Sequence, residues 1–144
     1  MENKINNIIT KYKELRNTAW ENYRNICNQE QKEIGNIIDF KGKYLKTLED
    51  DKYVYIYVLD QYFIDDQERS NDFFIRLKGP GVVFYIDEDL EYMYGEFDEE
   101  FTYELNVRNI ESDLKNIEEI SRKDFITECE KHFIEAGKSF IKLL

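Results

Sequence analysis

The spacing of apolar residues changes near Phe40, and this change separates an N-terminal helix from a sheet. From Ile5 to Ile26, apolar residues recur at alternating steps of three and four, which marks one face of a helix or a short heptad seam. From Phe40 onward the period falls to two, the period of a half-buried strand. We therefore predict a helix over residues 1–35, with Gly35 as its stop, followed by a sheet.

The segment from Tyr53 to Leu59 carries the clearest strand signal, because it consists of tyrosines, β-branched residues and one leucine. Alternation places Val54, Ile56 and Val58 on one face and the tyrosines on the other. We expect the aliphatic face to look into the core. The tyrosine face should look outward or into a groove, or be covered by the terminal helices.

Two hairpins are predicted around residues that favour turns. In Gly79-Pro80-Gly81 the proline presets φ and the glycines accept angles that other residues resist, so residues 73–86 read as one hairpin. Residues 91–107 read as a second hairpin around Asp98-Glu99-Glu100. A polar loop is expected over residues 65–71.

The last third predicts a short closing strand and a second helix. Residues 110–120 fit a turn and a strand, and Ser121 with Asp124 resembles a capping box that opens a helix over residues 121–144. We predict one α+β domain over residues 1–144, with a five- to six-stranded antiparallel sheet at 40–120 between the helices. The short strands also fit a small SH3-like barrel.

The net charge of −11 is concentrated in the predicted sheet. Residues 47–107 carry four Lys/Arg and seventeen Asp/Glu, a net −13, whereas residues 1–46 carry +3 and residues 108–144 carry −1. Aromatic residues are interleaved with the carboxylates, which a disordered acidic tail would lack. The acidity therefore belongs to a folded surface whose field bears on the choice of partner.

The most acidic stretch, residues 87–104, contains no basic residue. Three interpretations compete for it: a solubilising surface, a rigid anionic face for a basic protein groove, and a calcium site. The calcium pattern fails because Tyr92 stands where an EF-hand loop requires glycine. The partner-binding residues predicted here are Asp87, Glu88, Asp89, Glu91, Tyr92, Tyr94, Glu96, Asp98, Glu99, Glu100 and Glu104.

No pattern in the chain predicts a catalytic residue, a metal site or a cofactor. The single His132 fits a surface or boundary position. Cys27 and Cys129 fit reduced thiols. Two cysteines and one histidine are also too few for a structural zinc site. The first thirteen residues do not fit a signal peptide, and no apolar run is long enough for a membrane span. We expect a cytoplasmic protein that binds neither membranes nor nucleic acid directly.

The chain resembles the small acidic accessory proteins of low-GC phages and mobile elements. The resemblance rests on size, on Gly42-Lys43-Tyr44-Leu45-Lys46, on Tyr53-Val54-Tyr55-Ile56-Tyr57-Val58 and on Ile120-Ser121-Arg122-Lys123-Asp124-Phe125. That group includes anti-defence and anti-CRISPR inhibitors, some of which mimic nucleic acid. The resemblance implies a non-enzymatic inhibitor that presents its acidic surface to a basic groove of a nucleic-acid-binding protein.

Two other functions remain open from the sequence. The first is a small-ligand binder, of nucleotide type, whose pocket is lined by tyrosines, since a tyrosine offers stacking area and a hydroxyl. Its candidate residues are Tyr53, Tyr55, Tyr57, Tyr92 and Tyr94. The second is a structural protein that forms a homodimer through the N-terminal helix.

Overall fold

The apolar repeat of the first third forms helix α1, Glu2–Ile37, which ends two residues beyond the predicted stop at Gly35. The computed structural model describes residues 1–49, 51–66, 72–87 and 92–144, and at 65, 66, 72, 87 and 92–94 it describes the backbone alone. Two units are distinguished, the helical unit Met1–Ile37 and the sheet unit Ile38–Leu144. In the described residues, no helix has the length and apolarity needed to cross a membrane.

The described residues of the sheet unit form six strands and two α-helices. A 3-10 turn, Val107–Asn109, leads into the shorter helix. The elements are β1 Tyr44–Glu49, β2 Lys52–Tyr57, β3 Asp60–Asp66, β4 Asp72–Asp87, β5 Tyr92–Asn106, α2 Ile110–Asn116, β6 Ile117–Ile120 and α3 Arg122–Lys142. The predicted class, an antiparallel sheet between an N-terminal and a C-terminal helix, is confirmed.

Strand β4 is the centre of the sheet. One of its edges pairs with β3 over Asp72–Lys78 and then with β2 over Gly81–Tyr85, and its other edge pairs with β5 along most of its length. Beyond β2 lie β1 and β6, and every pairing is antiparallel. The pairings of the described residues form a branched path rather than a closed ring.

The predicted turn at Gly79-Pro80-Gly81 is wrong, because β4 runs straight through it. A Cβ atom at Gly79 would overlap the carbonyl oxygen of Tyr57, and one at Gly81 would lie 2.6 Å from the ring of Phe101. The glycines therefore permit close packing where β4 changes partner from β3 to β2, instead of reversing the chain.

The predicted turn at Asp98-Glu99-Glu100 is also wrong, because these residues form a bulge inside the continuous strand β5. The register passes from Gly79 opposite Phe101 to Gly81 opposite Asp98, so Pro80 faces two residues of β5. Proline has no N–H to donate to a ladder, and a bulge is where a paired strand accommodates it. The two predicted hairpins are instead one long hairpin of β4 and β5.

Strand β3 was missed by the sequence analysis, which placed Asp65 and Asp66 in a polar loop. Acidic residues stand at both ends of β3, and only the short segment from Tyr62 to Ile64 between them is apolar. The strand signal in the sequence is therefore weak. The rest of the predicted loop, residues 67–71, lies outside the described residues.

The core lies on both faces of the sheet. The aliphatic face of β2 is buried as predicted, with Val54, Ile56 and Val58 all at most 3% exposed. On the opposite face Tyr55 is buried with Val82, Phe84 and the Cys129 side chain of α3. Helix α3 therefore covers the tyrosine face, one of the outcomes that the sequence left open.

The start of α3 follows the predicted capping pattern. The Ser121 hydroxyl accepts a hydrogen bond from the Asp124 N–H at 3.0 Å, which satisfies one of the free donors in the first turn. This cap marks where α3 begins, directly after β6, and the helix then packs mainly against β5 and also against β1.

Candidate functional site

Five of the eleven predicted partner-binding residues have described side chains, and all five are exposed on β5: Glu96, Asp98, Glu99, Glu100 and Glu104. Asp87 ends β4 and Tyr92 begins β5, with Tyr94 two residues on, and only their backbones are described. Glu88, Asp89 and Glu91 lie outside the described residues. We call Glu96, Asp98, Glu99 and Glu100 the acidic edge.

The acidic edge lies on β5, which pairs only with β4 among the described strands. Glu96 and Asp98 stand opposite Val83 and Gly81, whereas Phe97 stands opposite Val82. Because neighbouring residues of a strand point to opposite faces, Glu96 and Asp98 share one face of the sheet at its rim, and Phe97 lies on the other.

A hydrogen bond within the bulge positions the acidic edge. The Asp98 Oδ1 atom accepts from the Glu100 N–H at 2.9 Å, the local side-chain-to-backbone bond that aspartate makes in turns. Beside the bulge lies an open depression of about 530 Å³, which is lined by Leu59, Asp60, Lys78, Gly79, Pro80, Glu99 and Glu100. The depression could receive a cationic side chain from a partner.

Basic residues on β4 neutralise one end of the acidic strand. Arg76 donates from Nε to the Glu104 carboxylate at 2.8 Å and also pairs with it through a second nitrogen. This hydrogen bonding raises the pKa of Arg76. Lys78 Nζ lies 3.9 Å from Glu100 Oε1, which is a long distance for an ion pair. Among the ion pairs of the described residues, none involves Glu96, Asp98 or Glu99, so their charges are available to a partner.

Phe97 is the exposed aromatic residue of this edge, with 70% of its surface accessible. Aromatic side chains are enriched among the anchoring residues of protein interfaces, and Phe97 is exposed to take such a role. Sequence reasoning did not select Phe97, although its position between Glu96 and Asp98 was visible.

A second feature of the sheet unit is a cavity of about 370 Å³ beneath α3, which we call the α3 cavity. Strands β1, β2 and β6, helix α3 and the last residue of α2 form its walls. Its lining residues are Lys46, Thr47, Leu48, Tyr53, Tyr55, Asn116, Glu118, Glu128, Lys131 and His132.

The charges of the α3 cavity balance one another. Lys46 Nζ lies 2.9 Å from the Glu128 carboxylate and 3.6 Å from that of Glu118. The hydrogen bond to Glu128 raises the pKa of Lys46, so its ammonium group stays charged. With Lys131 as the second cation, two positive and two negative side chains line the cavity.

A tyrosine–histidine pair forms the inner wall of the cavity. The Tyr55 hydroxyl lies 3.0 Å from His132 Nε2, and the imidazole stacks on the Tyr53 ring with centroids 4.7 Å apart. Burial lowers the pKa of His132 and raises the pKa of Tyr55, so both groups are neutral at pH 7. His132 thus occupies the boundary position that the sequence predicted.

Three residues that line the cavity have a buried polar atom with no hydrogen-bond partner in the described residues, namely Thr47 Oγ1, Glu128 Oε2 and His132 Nδ1. When the Tyr55 hydroxyl donates to Nε2, neutral His132 carries its proton on Nδ1 and that atom becomes a donor. Residues 128 and 132 are four apart on one helix face and then carry an unused acceptor and a donor that lies 3.9 Å from the Glu135 carboxylate.

The tyrosines proposed for a pocket separate into three groups. Tyr53 and Tyr55 line the α3 cavity, whereas Tyr57 stacks on Tyr44 with centroids 4.4 Å apart and is not part of the lining. The side chains of Tyr92 and Tyr94 are not described. Sequence reasoning missed Lys46, Glu118 and Glu128, and the four-residue spacing of Glu128 and His132 was the one signal that could have joined two of the lining residues.

The Cys129 thiol on α3 lies close to the cavity but has the environment of a buried, protonated thiol. Cys129 lies one helical turn before His132, but burial raises its thiol pKa to about 12, and the thiol is therefore protonated at neutral pH. Both cysteines are free, Cys27 half-buried and Cys129 buried. In the described part of the chain, no group of three or more His, Cys, Asp or Glu side chains is arranged to hold a metal ion.

Comparison with protein-family models, with curated proteins and with solved structures finds no match to this chain. The function is therefore proposed from the site itself.

Proposed function

We propose that this protein is a non-enzymatic inhibitor whose acidic edge occupies a basic, nucleic-acid-binding groove of another protein. The observation that carries the proposal is a set of exposed carboxylates that make no ion pair among the described residues, Glu96, Asp98 and Glu99, next to the exposed Phe97 in the same strand. The resemblance to small acidic accessory proteins of phages supports a defence protein, such as a CRISPR effector, as the target.

The spacing of the acidic edge supports the comparison with a nucleic-acid strand. A strand rises about 3.3 Å per residue, so the four carboxylates from Glu96 to Glu100 fall within about 13 Å of chain. One strand of duplex DNA carries a phosphate charge about every 3.4 Å of helix axis, which is about four charges over the same length. The linear charge densities are therefore similar.

A solubilising role is the competing explanation, because charged residues on a sheet edge also prevent strand-to-strand aggregation. The two explanations differ in what a charge reversal does. A partner-binding edge loses its partner when the charges are reversed, whereas a solubilising edge loses solubility and keeps any binding that occurs elsewhere.

The test compares two double variants with the same change in net charge. Glu96→Lys with Glu99→Lys alters the acidic edge and leaves Asp98 in the bulge, whereas Glu111→Lys with Glu130→Lys alters two exposed residues on α2 and α3. We expect the wild type and the α2/α3 variant to retain the same basic proteins from a lysate of a low-GC bacterium. The acidic-edge variant should lose them.

The retained protein is then measured against salt. Affinity carried by the acidic edge falls steeply as ionic strength rises, and the association rate falls with it. Binding that is equal in both double variants and insensitive to salt would reject the proposal.

The α3 cavity favours a second candidate function, the binding of a small neutral ligand. Glu128 Oε2 and His132 Nδ1 supply an acceptor and a donor, and Tyr53 supplies an aromatic surface. Since the lining charges already cancel, a neutral planar heterocycle such as a nucleoside suits the cavity better than a nucleotide with its phosphate.

Thermal shift with a panel of nucleosides and their 5′-monophosphates tests this candidate, since a ligand that binds only the folded protein raises the Tm. At least one nucleoside should raise the Tm of the wild type and of Glu130→Gln, an exposed control on α3, but not of Glu128→Gln. No shift with any nucleoside, or larger shifts with the monophosphates, would exclude it.

A further inference from the structure

Helix α1 carries a continuous apolar stripe that the helical unit leaves in water. The helix is 36 residues long and buries none of its side chains. Its large apolar residues are 45–64% exposed: Ile5, Ile8, Ile9, Tyr12, Leu15, Trp20, Tyr23 and Ile26. A contiguous apolar surface of this length marks an interaction site.

The stripe has the spacing of a coiled-coil seam. Ile5, Tyr12, Ala19 and Ile26 are seven residues apart and occupy the a positions of a heptad, while Ile8 and Leu15 occupy d positions. Asn22 falls on the next d position. A single polar residue in such a seam specifies register and number of strands at some loss of stability.

The composition of α1 makes a partner necessary for a stable helix. Eight asparagines lie within Glu2–Ile37, and asparagine and the β-branched isoleucines are weaker helix formers than alanine or leucine. Helices in water gain most of their stability from packing an amphipathic face rather than from propensity. An uncovered stripe would leave α1 without that contribution.

Charge indicates that a second copy of α1 can cover the stripe. The helical unit carries six Lys/Arg and five Asp/Glu, a net +1, so two such helices repel each other little. The sheet unit carries fourteen Lys/Arg and twenty-six Asp/Glu, a net −12. Two sheet units therefore repel each other, and the arrangement of the helices decides how close they come.

We propose that two copies of this chain form an antiparallel two-stranded coiled coil through the α1 stripe. An antiparallel pair separates the two C-terminal ends of α1 by about 54 Å, the length of a 36-residue helix. A parallel pair brings those ends, and the acidic chains that follow them, together.

The antiparallel alignment that covers most of the stripe places Ile8 against the second copy's Ile26 and Leu15 against its Ala19. Asn22 then lies opposite the second copy's Tyr12, whose hydroxyl can hydrogen-bond with the amide. This alignment gives a polar partner to Asn22, the one polar seam position between Ile5 and Ile26.

Sedimentation of the full chain tests the association, with matched variants that each add two negative charges to α1. Ile8→Asp with Leu15→Asp alters the stripe, and Thr10→Asp with Asn17→Asp alters the opposite face. We expect the wild type and the opposite-face variant to sediment across the micromolar range at twice the chain mass of 17.5 kDa. The stripe variant should sediment at the chain mass, with the near-UV circular dichroism of its sheet unit unchanged.

A wild type that sediments at 17.5 kDa throughout that range, or a stripe variant that stays dimeric, overturns the proposal. Neither result depends on the acidic edge, so the proposed inhibitor function is tested separately.

Spin labels test the orientation. Lys4→Cys is labelled in a Cys27→Ser background, and Cys129 stays unlabelled because it is buried and its thiol pKa is raised to about 12. In the antiparallel alignment residue 4 lies opposite residue 30, so the two labels are about 39 Å apart along the axis. A distance below about 20 Å, as expected for helices packed side by side in parallel, overturns the antiparallel arrangement.

Discussion

The carboxylate of Asp98 accepts a hydrogen bond from the backbone N–H of Glu100 at 2.9 Å, and this contact lies inside the bulge that presents the acidic edge. One residue of this acidic edge therefore has a structural task as well as a charge. The neighbouring carboxylates of Glu96 and Glu99 make no ion pair among the described residues and are the better probes of binding.

Replacing Asp98 should separate the structural task from the charge. Asp98→Ala removes the acceptor and should lower the free energy of unfolding by about 1 kcal/mol, the typical contribution of one hydrogen bond. Asp98→Asn keeps an acceptor oxygen and should stay within about 0.5 kcal/mol of the wild type. Urea denaturation measures both, and equal stability of the alanine variant and the wild type would show that the bulge does not need this bond.

Gly79 should tolerate no side chain, whereas Gly137 should. A Cβ atom at Gly79 would overlap the Tyr57 carbonyl oxygen, and Gly79→Ala should destabilise the sheet unit by about 3 kcal/mol or more. A Cβ atom at Gly137, within α3, would meet no other atom within 4 Å, so Gly137→Ala should stabilise the helix by about 0.5–1 kcal/mol. Thermal unfolding compares them, and a mild effect at Gly79 would contradict the close approach of β4 to Tyr57.

His132 should make stability depend on pH below its ordinary pKa. Burial lowers the folded-state pKa below the ordinary value of 6.5, so the unfolded chain binds more protons in the interval between the two values. The free energy of unfolding should therefore fall as pH decreases from 6.5 towards the folded-state pKa. His132→Gln should flatten that part of the difference curve, and a wild type whose stability rises on acidification relative to this variant would contradict the assignment.

Tyr55→Phe should weaken the inner wall of the α3 cavity. The change removes the hydroxyl that meets His132 Nε2 at 3.0 Å and should cost about 1 kcal/mol. Tyr57→Phe is the matched control, because Tyr57 lies on the same strand outside the cavity. Equal losses in the two variants would show that the Tyr55–His132 contact adds no stability.

Local pattern was sufficient to predict helices α1 and α3, strand β2 and the cap at Ser121, because propensity and burial favour the same structure there. The turn predicted within residues 110–120 is helix α2 instead. Local pattern also failed at Gly79-Pro80-Gly81, where residues typical of a turn instead allow β4 to approach the Tyr57 carbonyl oxygen closely. That crossing depends on a contact between β2 and β4, which local spacing does not encode. The prediction of a turn at Asp98-Glu99-Glu100 failed in the same way, because the bulge there depends on Pro80 in the opposite strand.

The exposed carboxylates of β5 could be predicted from the sequence. Aromatic residues interleaved with them indicate a folded strand, and the charged residues of such a strand face water. The α3 cavity could not be assembled in the same way. Tyr55 and His132 are 77 positions apart and Lys46 and Glu128 are 82 apart, so their contacts arise from how α3 packs on the sheet.

The most direct test of the central claim is displacement of nucleic-acid-binding proteins from DNA. Proteins of a low-GC bacterial lysate are bound to a double-stranded DNA resin and then eluted with equal amounts of wild type, the Glu96→Lys and Glu99→Lys double variant, or the Glu111→Lys and Glu130→Lys double variant. The account predicts that the wild type and the second variant release the same basic protein at low salt, and that the acidic-edge variant does not. Release of that protein by all three, or by none, would contradict it.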